Sequence, residues 1–328
     1  MENASSSCSQ DPLQSGCPSH QNKDFALFYS VHILALLLTS ISATSCLVVI
    51  CSIVHKRCKL SRKNVADRFP LYIAINDFLF GIIHGTDHLV LLVTGVYPEK
   101  WVVYLLGCSS MFLLWYQQLM YALIAVYTYF DVACEKRVTT GRWDYRLHIV
   151  AASLAGITVA IMVPLDSIGL SRFWMGAHES SPLYNVIAST TFTTIQAICT
   201  ITAYSSIRCV VLSYKSRLQI GQISHSYHDT AAMCLVTFVK IGAILYLPTA
   251  LFFWAIAFDS ATGLRLQKNE SFYAVGIFTI VVLCNCGGFI NTIGYFTNKR
   301  IKAEGKRARR ESSVKTSIIS LESSIHKI

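Results

Sequence analysis

The chain has 328 residues and a formal net charge of +10, with 53% apolar residues and only 14% charged ones. A soluble domain averages roughly 25% charged residues, so this balance excludes an ordinary water-soluble enzyme and a disordered chain. The apolar residues also fall in long blocks, each near the ~20 residues that cross ~30 Å of hydrocarbon.

Residues 1–24 are polar, rich in Ser and Gln, and lack the apolar stretch of a cleavable signal, so the first block is expected to insert itself. Seven blocks follow: Ala26–Val54, Phe69–Thr94, Val102–Phe130, Leu147–Leu165, Leu183–Leu212, Thr230–Phe258 and Phe272–Thr297. Blocks this long read as helices, since barrel strands would be ~10 residues and alternating. The expected fold class is an all-α membrane protein, a seven-transmembrane helix bundle over 26–297. A segment over 1–25 precedes it, and a basic, Ser-rich tail over 298–328 follows.

Charge sets the expected orientation. Of 28 Lys and Arg, 22 lie on the segments that share a side with the tail, 5 lie on the other side, and Lys240 sits inside the sixth block. Positive residues mark the cytoplasmic face, so the N-terminus is expected outside and the tail inside, at the plasma membrane. The basic excess then reads as contact with anionic membrane lipids, not with nucleic acid. The sequons at Asn3 and Asn269 both fall on the expected outside, as glycosylation acceptors of a glycoprotein. Of 12 cysteines, only Cys8, Cys17 and Cys108 are expected outside, and no metal-type Cys pair occurs.

Ionisable residues inside a bilayer are costly and point to function. Asp77 stands about two turns into the second block. A carboxylate there must face other helices, bind a cation or be protonated. In the seventh block Asn285, Asn291 and Tyr295 form a polar series, with Asn291 and Tyr295 on one helix face. Gly287, Gly288 and Gly294 suit close helix approach. In the sixth block Pro248 follows Tyr246-Leu247, where it removes a backbone bond and forms either a passive kink or a hinge. Lys240 snorkels to headgroups or bridges to a carboxylate.

Together, Leu71-x-x-Ala74-x-x-Asp77, Pro248 with an aromatic two residues earlier, Asn291-x-x-x-Tyr295, and Trp101 ahead of Gly107-Cys108 resemble the seven-helix G protein-coupled receptors of the rhodopsin-like class. Trp115 and Ala125-Val126-Tyr127 resemble helix three of the cAMP-receptor-like class of amoebae and fungi. The pattern departs at Ser45, Thr292 and Tyr246, and the family's Asp-Arg-Tyr falls on Val132-Ala133-Cys134. The resemblance implies a receptor, not an enzyme, with an extracellular ligand and a heterotrimeric G protein as partners. It implies an activation switch at Asp77, Asn285, Asn291, Tyr295, Tyr246 and Pro248, with a sodium ion as the one possible cofactor, at Asp77. It places G protein contacts at Cys134, Lys136, Arg137, Arg208 and Thr230. The second outer loop, Asp166–Pro182, has no cysteine, so the disulfide partner expected for Cys108 is Cys17 or Cys8. Trp115 and Asn285 stand where amine receptors carry Asp and opsins carry Lys, which argues against an amine or retinal as ligand.

The ligand is expected to contact His84, Asp87, His88, Trp115, Phe253 and Tyr273. His84 and His88 share a helix face, so they read as a pH-sensitive or ligand-contacting pair, as polar lining of a wet cavity, or as a zinc pair with His32 or Asp166 as third ligand. The zinc case defines an alternative function, a seven-helix metal-dependent hydrolase; a transporter using Asp77 and Lys240 is another. No metal site is expected in the receptor reading. Ser312, after Arg309-Arg310-Glu311, is the expected phosphorylation site in the tail.

Overall fold

The computed structural model describes residues 18–55, 65–94, 98–132, 134, 136, 138–165, 167–170, 175–177, 194–195, 197–205, 208–209, 212, 227–262 and 270–303. The elements are α1 (Pro18–Val54), α2 (Val65–Thr94), α3 (Lys100–Val132), a 3-10 turn at Arg142–Asp144, α4 (Tyr145–Met162), β1 (Ile168–Leu170) and β2 (Met175–Ala177). Then come α5 (197–205), α6 (Tyr227–Thr262), α7 (Glu270–Asn285) and α8 (Gly287–Ala303). Five helical segments are long and apolar enough to cross a membrane: Ala26–Val54, Val65–Thr94, Lys100–Asp131, Arg142–Met162 and Cys234–Ile256. Counted as one span, the bent pair Ala274–Asn285 and Gly287–Ala303 makes a sixth. Most of the fifth block lies outside the described residues.

Helix α1 starts at Pro18, ahead of its apolar block. Proline suits a first helical position, because its missing N–H has no partner there anyway. Helix α2 likewise starts at Val65, one turn before Phe69. Apolar blocks delimit hydrocarbon, not helices, so both helices outrun the expected boundaries.

The bundle is apolar on its surface and polar inside. Ile33, Leu37 and Ile41 are exposed along one stripe of α1, Ile75, Leu79 and Ile82 along α2, and Leu154, Ile157 and Ile161 along α4. His32, Asn76, Asp77, Asp87, His88 and Gln117 are buried. Water would select the reverse pattern; hydrocarbon selects this one, because polar groups need internal partners there. Lys240 is exposed on α6.

Helix α3 is the hub. It packs on α2, α4 and α6, while α1 lies along α2 and against α7. The main core gathers Phe69, Trp115, Tyr121, Ile124, Phe238 and Leu245 around it. Strands β1 and β2 form an antiparallel hairpin with Gly169 opposite Gly176. The hairpin rests on α3 at Gly107, where a Cβ would come 3.1 Å from Ile168 Cγ2 and 3.3 Å from the Gly176 backbone. Only glycine lets the two backbones approach this closely.

The seventh block is two helices, α7 and α8, meeting at 48°. Cys286 is the turn between them, and Gly287 and Gly288 follow, a pairing that commonly marks kinks. A Cβ on Gly287 would meet Asp77 Oδ1 at 3.3 Å, one on Gly288 would strike Ser42 and Cys46 of α1, and one on Gly294 would strike Ile241 of α6. All three glycines therefore carry the close helix approach that their size allows.

Candidate functional site

Three buried polar clusters occupy successive depths of the bundle. At mid-depth both oxygens of Asp77 are held by amides. Gln117 Nε2 donates to Oδ1 at 2.6 Å and Asn291 Nδ2 donates to Oδ2 at 2.8 Å. Each amide is itself fixed: Asn76 Nδ2 donates to Gln117 Oε1 at 2.9 Å, and the Tyr121 hydroxyl donates to Asn291 Oδ1 at 2.6 Å. The network joins α2, α3 and α8, and the bend at Cys286 is what carries Asn291 to Asp77. Asn285 is directed elsewhere, accepting from the Thr39 hydroxyl at 2.6 Å and donating to the Val281 carbonyl. A cation at Asp77 would meet oxygens already engaged by two N–H donors.

Tyr121 links this network to α6. Its ring meets Tyr246 edge-on with centroids 6.1 Å apart. A Cβ on Gly242 would sit 3.0 Å from the same ring, so α6 crosses α3 closely here. Pro248 lies two residues beyond Tyr246, inside α6. It leaves the Ile244 carbonyl without its helical N–H partner.

At the hairpin end, His32 of α1 and His84 and His88 of α2 form a chain. His88 Nδ1 lies 2.7 Å from His32 Nδ1, and His88 Nε2 lies 3.1 Å from His84 Nε2. His84 Nδ1 is 3.6 Å from Asp87 Oδ2, which also accepts the Met175 N–H at 2.9 Å. Phe28 packs on His32 and Phe80 stacks on His84. His88 uses its two ring nitrogens on different partners, so the three rings do not converge on one point. Among the described residues, no three His, Cys, Asp or Glu are placed to hold a metal ion. Trp115 sits deeper, in the main apolar core. Residues 253 and 273 lie on α6 and α7, but their side chains are outside the described set, as is Asp166.

At the other end, Arg68 of α2 grips Asp144 with two bonds, Nε to Oδ2 and Nη2 to Oδ1, both 2.7 Å. The Thr140 hydroxyl donates to Oδ1 at 2.6 Å and the Tyr72 hydroxyl to Oδ2 at 3.1 Å. Both Arg68 and Asp144 are buried. Trp143 and Asp144 have φ of 59° and 56°, a left-handed conformation that costs roughly 1–2 kcal/mol per residue. That backbone turns the Asp144 carboxylate away from capping α4, where it makes no cap bond, and toward Arg68. Lys302 of α8 pairs with Asp67, and Asn298 donates to the Cys234 carbonyl at 2.9 Å. Cys134, Lys136 and Arg208 lie on the described backbone, with Lys136 and Arg208 exposed. Thr230 is on α6 with its side chain outside the described set, and residue 137 is outside it altogether.

Sequence reasoning did not single out Gln117, Tyr121, Arg68 or Asp144. Arg68 was one basic residue among the many that marked a side. Its signal is positional: it directly precedes an apolar block, as Asp144 almost does, so each must find a partner. Among the described residues Cys108 has no disulfide partner; residues 3, 8, 17, 269 and 312 lie outside them. No protein-family model matches the chain, and no curated protein matches it by sequence.

Proposed function

We propose that this chain is a seven-helix receptor that carries an extracellular signal across the plasma membrane to a heterotrimeric G protein. One observation carries the reading: Tyr121 donates to the Asn291 of the Asp77 network while its ring packs on Tyr246, beside the proline of α6. A change in the buried network is thus felt where proline removes a backbone bond from α6. The motif order and spacing of the sequence agree with it.

In this reading the N-terminus and the hairpin face outside and the tail faces the cytoplasm. Ligand binds at His84, Asp87 and His88, with Trp115, Phe253 and Tyr273 completing the cavity. It shifts the balance of two states only by its differential affinity for them; inverting a 1:99 ratio takes ~5.5 kcal/mol. The α6 segment before Pro248 then swings from α3 and opens a cleft near Cys134, Arg208 and Thr230. Lys136, Arg137 or Arg208 supplies the cationic contact that the family's missing arginine would make. A sodium ion competing for Asp77 would displace the Gln117 or Asn291 donor and so oppose the switch.

The test has two arms. A cysteine placed at Lys306 is expected to resist a membrane-impermeant reagent in intact cells and to react after permeabilisation. Reaction in intact cells would overturn the orientation. The purified chain in lipid nanodiscs is expected to speed guanine nucleotide exchange on at least one heterotrimer of a panel, screened with and without a ligand library. No response from any heterotrimer would overturn the G protein assignment.

A further inference from the structure

The geometry of the histidine chain limits where its hydrogens can sit. A neutral imidazole has one N–H and one bare nitrogen. The two N···N contacts each need one N–H; His84 Nδ1 makes no hydrogen bond among the described residues but lies 3.6 Å from the acceptor Oδ2 of Asp87, which favours the third N–H there. His84 Nε2 is then bare and His88 Nε2 donates to it. His88 Nδ1 is bare in turn and His32 Nδ1 donates to it. What remains is His32 Nε2, a bare acceptor that is buried and has no hydrogen-bond partner among the described residues. Three linked rings, meeting edge-on, therefore run from an unfilled nitrogen toward a carboxylate.

We propose that this chain is a proton-binding site: it takes up one proton at His32 Nε2 and delivers the charge to His84. The proton forms a bond to His32 Nε2. The His32 Nδ1 proton passes to His88 Nδ1, and the His88 Nε2 proton passes to His84 Nε2. Each ring gains one N–H bond; His32 and His88 each lose one. The single positive charge ends on His84, beside Asp87, and water is the only proton source required. The charge on His84 draws in the Asp87 carboxylate, whose Oδ1 has no hydrogen-bond partner among the described residues and whose Oδ2 holds the Met175 N–H of β2. Moving the carboxylate weakens this tie between α2 and the hairpin, which is seated on α3 at the close contact with Gly107.

The neighbours leave the charge to Asp87. Helix α3 turns Val103 and Leu106 toward Leu91 and Met175, and α7 turns Ile277 and Val281 toward Val31 and Ala35. Among the described side chains, the other ionisable groups at this end of α1 and α3 are engaged or exposed. Tyr29 is exposed, Glu99 accepts from the Trp101 indole, and Lys100 lies over the Tyr104 ring. The site uses residues of the proposed ligand site but depends on no G protein step.

The test uses the full chain in nanodiscs with a metal chelator, so it is independent of orientation and coupling. Histidine ¹⁵N spectra are recorded through the histidine range of about pH 8 to 5, beside hydrogen exchange of the 175–177 amides corrected for intrinsic chemistry. The wild type is expected to show coupled shifts equivalent to one proton that His88→Phe lacks. Its hairpin amides should exchange about tenfold faster at low pH, the effect of losing one hydrogen bond to a charged group. Asp87→Asn should exchange fast at both ends of the range, with no step. Should His88→Phe fail to fold, His32→Gln, which keeps an amide donor but lacks the bare ring nitrogen, replaces it. Flat histidine signals in the wild type, or a His32→Gln titration equal to the wild type, would overturn the proton site. A pH step that survives in Asp87→Asn would overturn its link to the hairpin.

Discussion

Arg68→Ala is expected to destabilise the chain by about 3–5 kcal/mol, because it strands a buried carboxylate. Asp144 is fully buried and takes four hydrogen bonds, two of them from Arg68. Thr140 and Tyr72 remain in the variant, but neutral hydroxyls do not offset an unpaired charge. Asp144→Ala should cost a similar amount by stranding the guanidinium. The pair Arg68→Met with Asp144→Leu should recover most of the loss, since it leaves no buried charge unpaired; Tyr72 keeps the Trp143 carbonyl, and the Thr140 hydroxyl loses its acceptor. Thermal unfolding of the three variants in one detergent checks this. Equal damage from the double variant would show that the strained turn at Trp143 and Asp144 depends on the bonds, not on the charge balance.

Asp77→Asn should leave the fold intact and change the signalling. The substituted side chain keeps one acceptor oxygen for Gln117, whose own orientation is fixed by Asn76. Its new N–H group would face the N–H of Asn291, so the Asn291 amide turns over. The Asn291 oxygen then accepts from the substituted amide, and its NH₂ donates to a rotated Tyr121 hydroxyl. The carboxylate is gone, and Tyr121 has exchanged donor for acceptor toward Asn291. Surface expression should be retained, and basal nucleotide exchange on the G protein should shift by about tenfold, the equivalent of ~1.4 kcal/mol between states. Adding Asn291→Asp moves the charge across the same contact and restores the Tyr121 donor, so it should return exchange toward the wild type. Unchanged exchange and sodium response in Asp77→Asn would leave Asp77 a purely structural residue.

Much of this was legible in the chain. Helical blocks followed from the hydrocarbon length, and the buried position of Asp77 from the cost of a lone carboxylate among apolar residues. Its link to Asn291 came from the resemblance to the receptor family's signature positions, whereas Gln117 and Tyr121, which complete the network, carried no such mark. The histidine pair was legible from its i, i+4 spacing, but its link to His32 was not, since the register of α1 against α2 has no local signature. Arg68 and Asp144 were hidden for the same reason: 76 residues separate them, and only packing joins them. The reach of α1 back to Pro18 was hidden because hydropathy reports the solvent, not the helix. Asn285 was grouped with Asn291 by proximity along the chain, yet the 48° bend at Cys286 sends the two side chains to different neighbours.

In the proposed receptor, α6 moves against α3 when a G protein engages. Spin labels at Cys134 and at a cysteine replacing Thr230, with the other cysteines removed, report that separation in nanodiscs. Adding a nucleotide-free heterotrimer that the chain activates should lengthen the distance between the labels. An unchanged distance, in a sample that still drives nucleotide exchange, would contradict the lever at Pro248.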